Sequence, residues 1–197
     1  MPEITRTRPD NDAEGTAPLP LRWIEEFVNT RRADRDDIAT PAQLAGWLHE
    51  RGLLGERAVI TASQRDRAEV VREGLRAVLA DNNAPTVASP RPDGLDPNAR
   101  GALADLVDEL PLTLDVTAGP PRLSPGAGQP ADTALAALLA IVAEAAADGT
   151  WARLKTCREP SCRWAYYDHS RNRGRTWCSM DLCGNRAKAR AFHHRGP

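Results

Sequence analysis

The sequence predicts an α+β chain, with a mainly helical body over residues 20–150 that contains one short β-hairpin and a small C-terminal module over residues 151–197 built from a second hairpin and a helix. Three observations predict it. Apolar residues recur at helical spacing through most of the first 150 positions, strand-like alternation is confined there to Leu112–Val116, and all four cysteines fall between Cys157 and Cys183. A 3.6-residue period marks amphipathic helices and a period of two marks strands. Clustered cysteines mark a module held by something other than a large core.

Residues 1–19 are rich in Pro, Thr, Asp and Glu and lack any period, so they read as a disordered leader. They contain no apolar core of a secretory signal. No run of 18 apolar residues occurs anywhere, so a soluble, cytoplasmic protein without membrane contact is expected.

From Pro20 to Thr30, Leu21, Ile24, Phe27 and Val28 repeat at helical spacing, with Asn29 and Thr30 suited to end the helix. After a charged loop, Thr40 is an expected N-cap, with Pro41 at the first helical position and Gln43 closing a capping box. Leu44, Trp47 and Leu48 form the apolar face and Gly52 the stop. This stretch has a superficial helix-turn-helix flavour but no basic recognition face, so a core-packing helix is the reading. A long helix is expected over residues 61–80, with Val71, Leu75, Val78 and Leu79 on one side. Residues 81–97 break all periodicity, and a shorter helix follows over 99–110.

Leu112–Val116 reads as a strand, with a second short strand around Arg122–Ser124 whose flanking prolines place it at an edge. Residues 131–147 are the clearest helix, alanine-rich with a seam of Leu135, Leu138, Leu139 and Val142, closed by Gly149.

The cysteines fall as Cys157-x4-Cys162, a 15-residue gap, then Cys178-x4-Cys183. Two spaced pairs of thiolates close a tetrahedron around one zinc ion, which is the expected cofactor. Two disulfides are the competing reading, disfavoured by the missing secretory signal. Tyr166, Tyr167 and Trp177 favour strands, and Ser170, Asn172 and Gly174 favour a turn, so residues 163–168 and 175–178 are expected to pair. Ser179 would cap a helix over roughly 180–193, with Asp181 in its first turn.

Charge is segregated. Residues 151–197 hold eleven Lys/Arg against three acids, a formal +8, leaving −9 for residues 1–150 within a net −1. A basic end on an acidic body points to a polyanion partner. No phosphate-binding glycine loop, nucleophile elbow or His-Glu-x-x-His motif occurs, so no catalytic residues are assigned and an enzyme is not expected.

The tail resembles the CGNR zinc finger family at its four cysteines, at the aromatic segment ending in Asp168, at Ser170-Arg171-Asn172, at Trp177-Cys178-Ser179-Met180, and at Cys183-Gly184-Asn185-Arg186. The body resembles the ABATE domain usually joined to that finger, most visibly at Phe27-Val28-Asn29-Thr30. The resemblance implies a treble-clef-like finger, and a bacterial stress-induced transcription regulator with DNA as partner.

For this chain, Arg171, Asn172, Arg173, Arg175, Lys188 and Arg195 are the expected nucleic-acid contacts. Asp168, Trp177, Asn185, Arg186 and Arg190 are expected to support the metal site. A helical phase of 100° per residue from Cys183 turns Arg186 and Arg190 inward and Lys188 outward. Trp164, Tyr166, Tyr167 and Trp177 either build the small core or stack on unpaired bases, and His169, His193 and His194 lie near the polyanion surface. The body would sense a small molecule, bind a protein partner or form a homodimer. A zinc-stabilised protein-interaction module and an RNA-binding protein are the alternatives.

Overall fold

The computed structural model describes residues 15–83, 95–117 and 119–194. The expected leader up to residue 14, most of the 81–97 loop, and Arg195 lie outside them. Six helices and two small sheets follow in order: α1 (Arg22–Val28), α2 (Pro41–Glu50), α3 (Ala62–Asn82), α4 (Ala99–Val107), β1 (Leu112–Asp115), β2 (Arg122–Pro125), α5 (Pro130–Asp148), β3 (Leu154–Thr156), β4 (Ala165–Tyr167) and α6 (Asn185–His194). The chain is α+β, as its periodicities predict.

Local signals set the helix ends. Thr40 and Thr61 each close a reciprocal capping box, with Gln43 and Gln64, so two otherwise orphaned donors are satisfied at each start. Gly52 and Gly149 take left-handed φ angles of 67° and 79° just past α2 and α5, where a side chain would be strained. The leader ends earlier than Leu19. Ala17 is fully buried, and its N–H donates to the buried Glu25 carboxylate at 2.7 Å.

One core joins these helices. Ile24, Phe27 and Val28 of α1, Leu44 and Leu48 of α2, Val71, Leu75 and Leu79 of α3, and Leu135 and Leu138 of α5 are all buried in it. Trp47 belongs to it as well, 5.2 Å from Phe27 by ring centroids, which settles the helix-turn-helix flavour of α2 in favour of packing. By length and composition α5 could cross a membrane, yet Ala134, Leu135, Leu138 and Leu139 sit in this core. On α3, Gly74 faces α4 so closely that a Cβ there would meet Leu103 Cβ at 2.4 Å.

The hairpin of the tail belongs to the same core. β3 and β4 pair antiparallel, Leu154 with Tyr167 and Thr156 with Ala165, and Leu154, Ala165 and Tyr167 are buried among the body's helices. Side chains of the body complete its hydrogen bonds. The Asn29 amide donates to the Ala165 carbonyl at 2.9 Å and accepts from the Ala165 N–H at 2.8 Å, replacing the two bonds of a missing strand. Asn82 donates to the carbonyls of Trp151 and Leu154, and Asn83 to those of Thr156 and Thr176.

Two buried arginines one turn apart on α3 finish the junction. Arg72 makes a two-pronged pair with Asp36, at 2.7 and 2.9 Å, and donates to Thr30. Arg76 donates to the last carbonyl of α1, that of Val28, at 2.6 Å and to the Arg163 carbonyl of the tail at 2.9 Å. The first of these carbonyls is a helix-end group that would otherwise lack a partner.

Asn29→Ala strands a buried donor and a buried acceptor at Ala165 and should lower stability by about 2–4 kcal/mol. Asn29→Asp keeps the acceptor but sets a buried carboxylate against the Ala165 carbonyl, so near neutral pH it should be at least as destabilising as Asn29→Ala. Urea unfolding of the three proteins checks the order.

Candidate metal centre

Each cysteine pair is set by its own turn. Cys157 continues β3, its N–H donating to the Trp164 carbonyl at 2.9 Å. The chain then turns at Glu159, whose carbonyl accepts from Cys162 and Arg163, and Arg163 takes a positive φ of 50° to re-enter β4. In the second turn Ser179 caps a single wide turn over Met180–Gly184, its hydroxyl accepting from the Leu182 N–H and its carbonyl from Cys183 and Gly184. The turn packs closely over Gly184, where a Cβ would meet Met180 Sδ at 2.9 Å and Trp177 Cδ1 at 3.3 Å.

The four sulfurs of Cys157, Cys162, Cys178 and Cys183 all lie within 4.8 Å of one another, and all four cysteines are free. Cys162 and Cys178 are 3.6 Å apart and Cys178 and Cys183 3.7 Å. A tetrahedral ion with zinc–sulfur bonds of about 2.3 Å sets its sulfurs about 3.8 Å apart, whereas a disulfide needs about 2.05 Å. Crowding has an electrostatic consequence. Four ionised sulfurs this close repel one another, and a bound cation is what offsets that repulsion. The donor set therefore fits a structural zinc ion. The Cys178 N–H aimed at Cys157 Sγ, 3.5 Å away, adds a partner for a sulfur that carries charge.

Arg190 on α6 makes a two-pronged pair with Glu159, at 2.8 and 2.6 Å, tying the helix to the first cysteine turn. Burial works against ionising Glu159, but Arg190 and the Ser161 hydroxyl hold its carboxyl below the usual range. This inward role agrees with the helical phase read from the sequence. Arg186 departs from it and is exposed. The wide turn through Cys183 holds more residues per turn than an α-helix, so a 100° step counted across it places Arg186 on the wrong side. Asn185 bonds the Asp181 carbonyl at 3.0 Å, closing the wide turn. Trp177 is half-buried beside the cysteines.

The hairpin expected between residues 163–168 and 175–178 forms instead between β3 and β4. Residues 175–178 run beside β3 and are joined to it by few bonds, the Arg158 N–H reaching the Thr176 carbonyl at 3.4 Å. β3 was invisible because Leu154–Thr156 is too short to show a period and earns its burial from α3.

Between Asp168 and Arg175 the chain forms a loop braced from inside. Asp168 is fully buried and accepts from Lys155 Nζ at 2.8 Å, from the N–H and hydroxyl of Ser170, and from the Arg175 N–H. Lys155 also donates to the carbonyls of Arg173 and Arg175, and Arg153 to those of Asp168 and Ser170. Burial opposes the charge on Asp168, yet Lys155 and Ser170 hold its carboxyl down at about 2.

Arg171, Asn172 and Arg173 are exposed on this loop, and Lys188 is exposed on α6. Arg175 is turned inward. Its guanidinium donates to the carbonyls of Trp177 and Cys178 and lies 5.0 Å from the Tyr166 ring centre, so it supports the cysteine turn and is not a free cation. Tyr166 is buried and Trp164 and Trp177 half-buried around the cysteines, while Tyr167 is buried in the body's core, so all four serve packing. His169 bonds the Thr16 carbonyl at 3.0 Å, while Arg195 and the side chains of His193 and His194 lie outside the described residues. Sequence reasoning missed Lys155 and Arg153, because nothing local distinguishes a bracing cation from a solvated one.

Asp168→Asn should cost about 3 kcal/mol or more near neutral pH, because it leaves Lys155 buried without its counter-charge. The native carboxyl is depressed on folding, so its contribution is complete above about pH 4 and is lost as pH falls toward about 2. The gap between variant and native chain should therefore narrow across that window, as denaturant unfolding at fixed pH values checks.

Two family models match the chain. The ABATE model, described as "Putative stress-induced transcription regulator", covers residues 21–149, and the CGNR zinc finger model covers residues 153–196. No curated protein matches it. The two-part arrangement supports a regulatory protein with a module fitted to hold a metal. With more than half of its length matched by the first model and its cysteine cluster by the second, the chain belongs to the ABATE family and carries a CGNR zinc finger.

Proposed function

We propose that this protein is a cytoplasmic transcription regulator that binds duplex DNA through its tail, around one structural zinc held by Cys157, Cys162, Cys178 and Cys183. The carrying observation is the braced loop. Arg171, Asn172 and Arg173 are exposed on a segment whose backbone is fixed from behind by Asp168, Lys155 and Arg153, so cations are presented with little freedom left to lose. Arg186 and Lys188 extend the basic surface along α6.

Arginine and asparagine read base edges as well as phosphates, and lysine binds phosphate as a point charge. Burial of Tyr166 and Tyr167 removes a stacking platform for unpaired bases, which favours duplex DNA over single-stranded RNA. With four thiolates as ligands the ion has no open position, so its work is to hold the two turns together. The body serves as the module that senses a small molecule or contacts a partner.

DNA selected from a random pool should bind with an affinity that falls steeply with salt. Replacing Arg171, Arg173 or Lys188 by alanine should weaken binding without changing zinc content. Each lost phosphate contact should flatten the slope of log affinity against log salt by about 0.9. Absence of duplex binding at low salt would favour a protein-interaction module, and preference for single-stranded RNA would overturn the reading of the aromatics.

Metal analysis should return one zinc per chain. A chelator should unfold more than residues 151–197, because Leu154, Ala165 and Tyr167 lie in the body's core. Loss of helical circular dichroism beyond the share of α6 is the expected result, and full retention of the body's signal would show the two parts to be separable.

A further inference from the structure

The two outer edges of the β1–β2 hairpin are built differently. Its register pairs Leu112 with Pro125, Thr113 with Ser124, Leu114 with Leu123 and Asp115 with Arg122. The Gly126 N–H donates to the Pro111 carbonyl, so the alternate pairs Thr113–Ser124 and Asp115–Arg122 carry the ladder's hydrogen bonds. Residues between them turn their backbone groups outward. On the β2 side those positions are 121, 123 and 125, and two of the three are proline, which has no N–H to offer.

The β1 side has no such blunting. Its outward positions are Leu112, Leu114 and Val116, with no proline and no lysine among them. Leu114 on the strand and Val116 just past its end are 63% and 65% exposed. The Leu112 N–H is already used, donating to the Leu110 carbonyl at 2.8 Å. Among the described residues, what remains is a definite set of groups: donors at Leu114 and Val116, acceptors at Leu112 and Leu114.

That set is complementary to itself. We propose that the outer edge of β1 pairs antiparallel with β1 of a second copy of this chain, about a twofold axis at Leu114, to form a four-stranded sheet β2–β1–β1–β2. In this register the two Leu114 residues exchange both of their bonds, and each Val116 N–H meets the Leu112 carbonyl of the other copy. Every free donor named above finds an acceptor and the busy Leu112 N–H is not needed. Thr113 falls opposite Asp115 of the other copy. A register one residue further along would set Asp115 against its own copy, a like-charge pair that destabilises a sheet.

The apolar side chains agree with this pairing. Leu114 and Leu123 project on one face, over a groove of about 580 Å³ whose other wall is Ala140, Ala143 and Ala147 of α5. Pairing extends that face across the axis and covers the exposed Leu114 and Val116. An isologous contact needs a surface that fits itself, and this edge fits itself in both hydrogen bonds and charge.

The test uses the full-length zinc-loaded chain without nucleic acid, so its outcome is separate from that of DNA binding. Sedimentation velocity over a concentration series should show reversible dimerisation. Leu114→Pro removes an outward donor and leaves the bonds to β2 untouched, and Val116→Lys places a charge on the edge. Each should weaken the dimer about tenfold or more with unchanged far-ultraviolet circular dichroism. If Leu114→Pro misfolds, Val116→Lys decides alone. A native chain that stays monomeric at every soluble concentration overturns the proposal, as does a folded variant that dimerises as tightly as the native chain.

Discussion

The cysteine-bearing tail is built on backbone groups that the body's side chains satisfy. A segment of this size cannot bury enough apolar surface to stand alone, and its hairpin has only three residues in each strand. Asn29 takes the place of a neighbouring strand at Ala165, Asn83 bridges Thr156 to Thr176, and Arg76 reaches the Arg163 carbonyl. An amide offers a donor and an acceptor at the spacing of a peptide group, which is why asparagine serves where a third strand is missing. The junction is therefore stereospecific, whereas a purely apolar contact would allow sliding.

From that junction the charge layout follows. Eight of the tail's eleven cations divide into two sets by what they touch. Arg153, Lys155, Arg175 and Arg190 are spent on carbonyls and carboxylates within the module. Arg171, Arg173, Arg186 and Lys188 are exposed. A formal charge count treats both sets alike and so overstates the charge available to a polyanion. The fixed set nonetheless matters to the free one, since it determines where Arg171 and Arg173 stand.

Sequence was most informative where the cause is local. The cap at Thr40, the stops at Gly52 and Gly149, and the spacing of the four cysteines are each decided within a few residues, and each is where the sequence placed it. Errors arose where the cause is distant. β3 is a strand because α3 and β4 lie beside it, and Leu154–Thr156 has no period to declare that. Arg175 was taken for a DNA contact because three arginines around a glycine look like a charged tip, but the carbonyls of Trp177 and Cys178 turn it inward. Arg186 was misplaced by a phase count run through a turn that is not α-helical. Asn29 was visible as part of a family motif, and its work could be seen only with Ala165 beside it.

Two-stranded sheets are marginal by themselves, and the described residues contain two of them. The C-terminal sheet is completed on one edge by Asn29, on the other by residues 175–178, and at its end by the cysteine cluster. The hairpin of the body has α5 packed against β2 and prolines along that edge, so one of its two edges is closed by design of the sequence. Among the described residues, only the β1 edge keeps open backbone groups together with exposed Leu114 and Val116. Within a chain that elsewhere spends asparagines, arginines and prolines on closing strand edges, an open one is a departure that calls for its own partner.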